Sequence, residues 1–185
     1  MFPGCTPSKS LPLVVAMHMF PGTGTAVAEL SGLNKKADAK NFLVAYPDGF
    51  SGGCNALTCC GAEDDIGFLK TMVGRLTTTW KADPSRVYAT GISNGGDMSF
   101  KVGVELHDLF AAVASVSGAF AGPAPATPSY APKSPVSMVT FIYRLPDMGH
   151  SWPGASSGAM ADPEAGLNAT DLMWDFFSVH PKKRA

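Results

Sequence analysis

At 185 residues and 19.3 kDa, the chain has the length of a single domain. Hydrophobic residues make up 45% of it and charged residues 16%, enough to bury a core and too apolar for intrinsic disorder. A formal net charge of −1 provides no basic field, so neither nucleic acid nor an anionic lipid surface is an expected partner.

No run approaches the ~18 to 20 apolar residues of a membrane span, and residues Met1 to Cys5 lack the basic and apolar regions of a signal peptide. The chain reads as soluble, with any export signal removed or lost ahead of Met1. Cys54, Cys59 and Cys60 cluster, while Cys5 stands alone near the start. The spacing is not C-x-x-C and no histidine lies near it, so no metal site is expected and a disulfide is the favoured use of the cluster. The four thiols allow three connectivities that the sequence does not choose between, a bridge between the neighbours Cys59 and Cys60 would be strained, and free buried thiols are the alternative.

The elements alternate along the chain. Leu11 to His18 is a short apolar run bounded by turn residues 21–24, as in a strand buried on both faces. Val27, Leu30, Leu33 and Ala37 recur at helical spacing, and Phe42 to Tyr46 forms a second strand ended by Pro47-Asp48-Gly49. After a Gly- and Cys-rich loop, Asp64-Asp65 opens a helix carrying Ile66, Leu69, Val73, Leu76 and Trp80 on one stripe. Arg86 to Thr90 is a third strand, followed almost at once by a helix marked by Met98, Val102 and Leu106. Phe110 to Val116 and Val136 to Tyr143 are strands four and five, separated by a Pro-, Ala- and Ser-rich loop. Leu172, Met173, Phe176 and Phe177 mark a closing helix that ends near Pro181, with Thr170 as its N-cap in preference to Asn168 as a glycosylation acceptor. Repeated strand-helix-strand units predict an α/β fold with right-handed crossovers, a mostly parallel sheet and helices on both faces. Ligands bind such sheets at the carboxyl ends of the strands, where His18, Ser93 and the His150 region all fall.

Gly91-Ile92-Ser93-Asn94-Gly95 is a G-x-S-x-G pattern placed between a strand and a helix. Such a turn strains the serine and crowds the neighbouring backbone, which is why the positions two before and two after it lack side chains. It lifts the Ser93 hydroxyl clear of the sheet and aims helix N-terminal N–H groups, Asn94 first, at an oxyanion formed there. A serine needs a base to become nucleophilic, and the chain has four histidines. His107 and His180 lie at helix ends, where they face solvent or cap carbonyls, and His18 ends a strand, within reach of bound substrate but with a structural role as the favoured reading. His150, on the loop Asp147-Met148-Gly149-His150-Ser151-Trp152, is the best candidate base. The loop after the first strand is expected to give the second oxyanion donor. Pro21 has no N–H, which leaves Phe20 first and Met19 second.

These motifs resemble the polyhydroxybutyrate depolymerase-like and feruloyl esterase branch of the α/β-hydrolases, secreted serine esterases. The likeness rests on Leu11 to His18, Cys59-Cys60-Gly61 before Asp64-Asp65-Ile66-Gly67-Phe68-Leu69, Arg86 to Gly96, Gly149 to Gly154, and Ala169 to Pro181. It implies a minimal α/β-hydrolase fold over residues 1–185, without a cofactor or metal, acting outside the cell or in the periplasm. It also implies Ser93 as nucleophile, His150 as base, Asn94 as an oxyanion donor and Trp152 as a wall of the acyl or aromatic pocket. The implied substrates are short-chain, aromatic or polymeric esters such as a hydroxyalkanoate, a feruloylated polysaccharide or an aromatic polyester.

Three departures stand out. His18-Met19 replaces the family's His-Gly at the oxyanion strand end. Asp97 stands where relatives carry an apolar residue, and its charge is expected to repel a developing oxyanion. The segment that normally carries the catalytic acid is missing, as are the antiparallel strands that usually precede the first parallel one, which leaves Asp147 as the loop candidate for the acid. The rival expectation is a degenerate remnant that binds a polymer or ligand through a groove lined by Trp152.

Overall fold

The computed structural model describes residues 10–127, 129–139 and 149–182. The elements follow in the order β1 (Leu11–Met17), α1 (Gly24–Ser31), α2 (Leu33–Lys40), β2 (Leu43–Ala45), α3 (Asp65–Thr79), β3 (Ala82–Ile92), α4 (Asn94–Glu105), β4 (Ala112–Val116), β5 (Ser137–Val139), β6 (Trp152–Pro153), β7 (Ala161–Asp162) and α5 (Ala169–Ser178), with a short 3-10 turn at Phe50–Gly52. Strands β2-β1-β3-β4-β5 form one sheet in that order, and all four pairings are parallel. Strands β6 and β7 form a separate two-residue ladder between the sheet and α5 in the chain.

Strand alternation sends β1 side chains to two cores. Val14 and Ala16 join Tyr88, Ile92, Ala112 and Ala114 beneath α1, α2 and α5, where Val27, Leu30, Leu33, Trp152, Met173 and Phe177 are buried. Leu13, Val15 and Met17 join Val87, Ala89 and Val113 beneath α3 and α4, against Leu69, Val73, Met98 and Val102. Two apolar faces covered by helices explain why β1 reads as an unbroken hydrophobic run. Stacked rings lock α5 onto the first face: Phe42 lies 4.1 Å from Trp174, and Tyr88 lies 4.7 Å from Phe177.

Three sequence expectations need correction. The helix marked by Val27 to Ala37 is two helices, because Gly32 sits at φ 65°, a left-handed conformation that ends α1 and starts α2. The cap of α5 is Asn168, whose side chain accepts from Asp171 N–H at 3.0 Å, whereas Thr170 lies inside the helix and its hydroxyl bonds the Ser31 carbonyl. The third strand is longer than Arg86–Thr90, since its early residues pair with Leu11 across a register shift. Of the fifth strand, expected over Val136 to Tyr143, Ser137–Val139 pairs with β4, Val136 precedes it, and residues 140–143 lie outside the described residues.

The Tyr88 hydroxyl is fully buried without a hydrogen-bond partner among the described residues, and burial pushes its pKa up to about 12. An orphaned buried hydroxyl costs about 1–3 kcal/mol. Tyr88→Phe keeps the stack on Phe177 and removes the orphan, so urea denaturation is expected to show unchanged or higher stability, by up to about 1 kcal/mol. A loss above about 1 kcal/mol would show that the hydroxyl has a partner.

Candidate active site

The turn from β3 into α4 places Ser93 at φ 56°, ψ −121°, a conformation that non-glycine residues avoid, at a cost of about 1–3 kcal/mol. Two hydrogen bonds hold it there. Ser93 N–H donates to the Val116 carbonyl at the end of β4 at 3.0 Å, and the Ser93 carbonyl accepts from Asp97 N–H at 2.9 Å. The flanking glycines answer a direct steric demand. A Cβ on Gly91 would lie 2.7 Å from the Met17 carbonyl oxygen, and one on Gly95 would lie 2.7 Å from the His18 carbonyl oxygen. Ser93 is half-buried, and its hydroxyl has no hydrogen bond among the described residues.

Asn94 opens α4, so its N–H is one of the helix donors without an intrahelical acceptor and stands beside the serine. Its side chain has a separate duty. Oδ1 accepts from Cys54 N–H at 2.8 Å, and Nδ2 donates to the Cys54 and Cys59 carbonyls at 3.0 and 3.2 Å, which fastens the cysteine loop to the helix start.

His18 is fully buried, with both ring nitrogens engaged. Gly49 N–H donates to Nε2 at 2.9 Å, which assigns the proton to Nδ1, and Nδ1 then donates to the Met19 carbonyl at 2.7 Å. His18 therefore takes the structural role favoured for it, and the alternative contact with substrate is not made. It fixes the Met19–Phe20 peptide instead: the carbonyl is drawn to the ring, and the Phe20 N–H of the same planar unit points the opposite way. Phe20 and Met19 both lie on the strand-end loop where a second oxyanion donor was expected.

The base candidate meets the site through its neighbour. The Ser117 hydroxyl, just past β4, donates to the Ser151 carbonyl at 3.0 Å, so the chain beside His150 is tied to the end of the same strand that binds Ser93 N–H. His150 itself is exposed, and no hydrogen bond links its ring to the Ser93 hydroxyl. Asp147 lies outside the described residues. His107 bonds the Ser134 hydroxyl at 2.7 Å, and His180 bonds the Phe176 carbonyl at 2.7 Å in the last turn of α5. Trp152 is fully buried and donates through Nε1 to the Thr170 hydroxyl at 3.1 Å, so it belongs to the core and offers no wall to a pocket.

No protein-family model matches the sequence. NocK of Nocardia uniformis subsp. tsuyamanensis, named as an esterase, is 32% identical over 160 residues, covering 84% of this chain and 45% of that protein. Feruloyl esterase B of Piromyces equi is 35% identical over 115 residues, covering 60% and 22%. The acetyl xylan esterase from Aspergillus awamori superposes with a TM-score of 0.54 at 28% identity, over 62% of this chain and 45% of that one. The fold is that of the α/β-hydrolases. The chain is similar to the esterase branch that holds feruloyl esterases, and it spans less than half the length of these relatives.

In this α/β-hydrolase fold the elbow and its glycines are legible from sequence, whereas Ser117 and the Asn94 carboxamide are not. Their roles arise from bonds between loops that no local pattern announces. The cysteines divide as well: Cys59 and Cys60 are paired as neighbours, and Cys54 is a buried thiol that desolvation, reinforced by the nearby Asp65 charge, pushes up to about 12. At the elbow, Gly95→Ala drives a Cβ into the backbone of β1. It is expected to lower stability by more than about 2 kcal/mol in thermal and urea unfolding, and unchanged stability would contradict the close approach described.

Proposed function

We propose that this chain is a serine carboxylic-ester hydrolase working through an acyl-enzyme. Ser93 attacks the ester carbonyl while His150 takes its proton. The Asn94 and Phe20 N–H groups receive the oxyanion, and water releases the acid with His150 returning the proton. The single observation that carries this reading is the strained, half-exposed Ser93 between β3 and α4, with its hydroxyl uncommitted and the first N–H groups of α4 beside it. The Ser117–Ser151 bond supports His150 as base, because it brings that loop to the strand ends. Asp147 is the proposed acid on the loop ahead of His150.

Short-chain, aromatic and polymeric esters are the proposed substrates, and the resemblance to exported esterases supports action outside the cell or in the periplasm. An open cavity of about 540 Å³ lies beside the loop that His18 holds, lined by Asp48, Phe50, Glu63 and Phe68 among others. Phe50 and Phe68 in its lining are exposed, which supports an ester carried on a bulky molecule. Among the described residues no helix is long and apolar enough to cross a membrane. The remnant-and-binding alternative loses its main support, since Trp152 is buried.

Initial rates on p-nitrophenyl acetate and butyrate test the proposal. Ser93→Ala and His150→Ala are expected to lose activity by about 10³-fold or more, and Asp147→Asn by at least about tenfold. Equal rates for the wild type and the first two variants would overturn it, and an unchanged Asp147→Asn would remove that residue from the machinery.

A further inference from the structure

The Asp97 carboxylate is buried, with 6% of the residue exposed, in the first turn of α4 and one turn beyond the nucleophile. A buried carboxylate persists only where donors meet it. Here Oδ2 takes the Thr58 hydroxyl from the cysteine loop, and Oδ1 takes the Ala119 N–H at 2.7 Å from the loop after β4. The expectation that this charge would repel an oxyanion therefore gives way to a bracket between two loops on either side of the elbow.

The bracket continues toward the base. Ala119 is two residues past Ser117, which sits at φ 49° and whose hydroxyl holds the Ser151 carbonyl at 3.0 Å. The path from the nucleophile helix to the neighbour of His150 thus consists of two hydrogen bonds joined by a two-residue segment. We propose that Asp97 is a positioning residue: by pinning the 117–119 segment to the nucleophile helix it fixes, through Ser117, where the His150 loop stands relative to Ser93. The proposal rests on the serine esterase reading. It differs from a triad role, because both carboxylate oxygens are spent on Thr58 and Ala119 and neither meets the His150 ring. An acid that aligns the loop bearing the base, and does not touch the imidazole, leaves binding intact and acts on the reactive geometry, where small displacements are costly.

Steady-state kinetics on p-nitrophenyl butyrate separate this from a general effect on folding. Asp97→Ala is expected to lower kcat by at least about tenfold with KM within about twofold. Asp97→Asn, whose Oδ1 still accepts from Ala119 N–H, is expected to restore kcat to within about threefold of wild type. Ser117→Ala, which leaves the carboxylate and both its donors in place, is expected to lower kcat by about three- to tenfold. A folded Asp97→Ala with wild-type kcat overturns the proposal. If Asp97→Ala does not fold, Ser117→Ala decides, and an unchanged kcat for it overturns the proposal equally. Should the wild type hydrolyse no ester, the esterase reading fails by itself. The positional claim is then read from the amide cross-peaks of His150 and Ser151, which are expected to shift in Ser117→Ala and Asp97→Ala and to return in Asp97→Asn. Cross-peaks unmoved in both alanine variants overturn it.

Discussion

The approach of the α4 backbone to the end of β1 is the constraint on which the site depends. Gly95 has no room for a side chain because the Met17 and His18 carbonyls occupy the space, and Gly91 is crowded by Met17 from the strand side. With the helix pressed this close, the chain can pass from β3 to α4 only through a single residue at positive φ, and that residue is Ser93. Strain, exposure of the hydroxyl and proximity to helix N–H groups follow from one steric fact. Packing elsewhere in two apolar layers supplies the stability that this turn draws upon.

Three loops are then referenced to the first turn of α4. Asn94 holds the cysteine loop by three hydrogen bonds, Asp97 holds that loop again and the segment after β4, and Ser117 carries the connection to Ser151. On the opposite side, His18 ties the loop after β1 to Gly49, the start of the loop after β2. Buried polar groups at the carboxyl ends of these strands therefore act as fasteners between loops. The candidate nucleophile and the candidate oxyanion donors stand among them.

Much of this fold was readable from the residues. The buried strands showed as continuous apolar runs, α3 as a stripe from Ile66 to Trp80, and the elbow as a glycine-serine-glycine pattern between a strand and a helix. What escaped were features set by distant partners. Gly32 divides a helix because a left-handed residue is needed there, which an apolar period running across it conceals. The family resemblance puts Trp152 at the site and a strand end puts His18 near it, yet their polar atoms are satisfied by Thr170, Met19 and Gly49 inside the protein. Asp97 looked like a charge out of place until Thr58 and Ala119, which are remote in sequence, supplied its donors.

Reaction of the intact protein with a fluorophosphonate probe, followed by mass mapping of the modified peptide, reads the central claim most directly, since phosphonylation requires a serine activated by a base. A single adduct on Ser93 is expected, with its rate falling by about 10²-fold or more when His150 is replaced by alanine. No adduct, or an adduct on another serine, would contradict the assignment of Ser93 as an activated nucleophile.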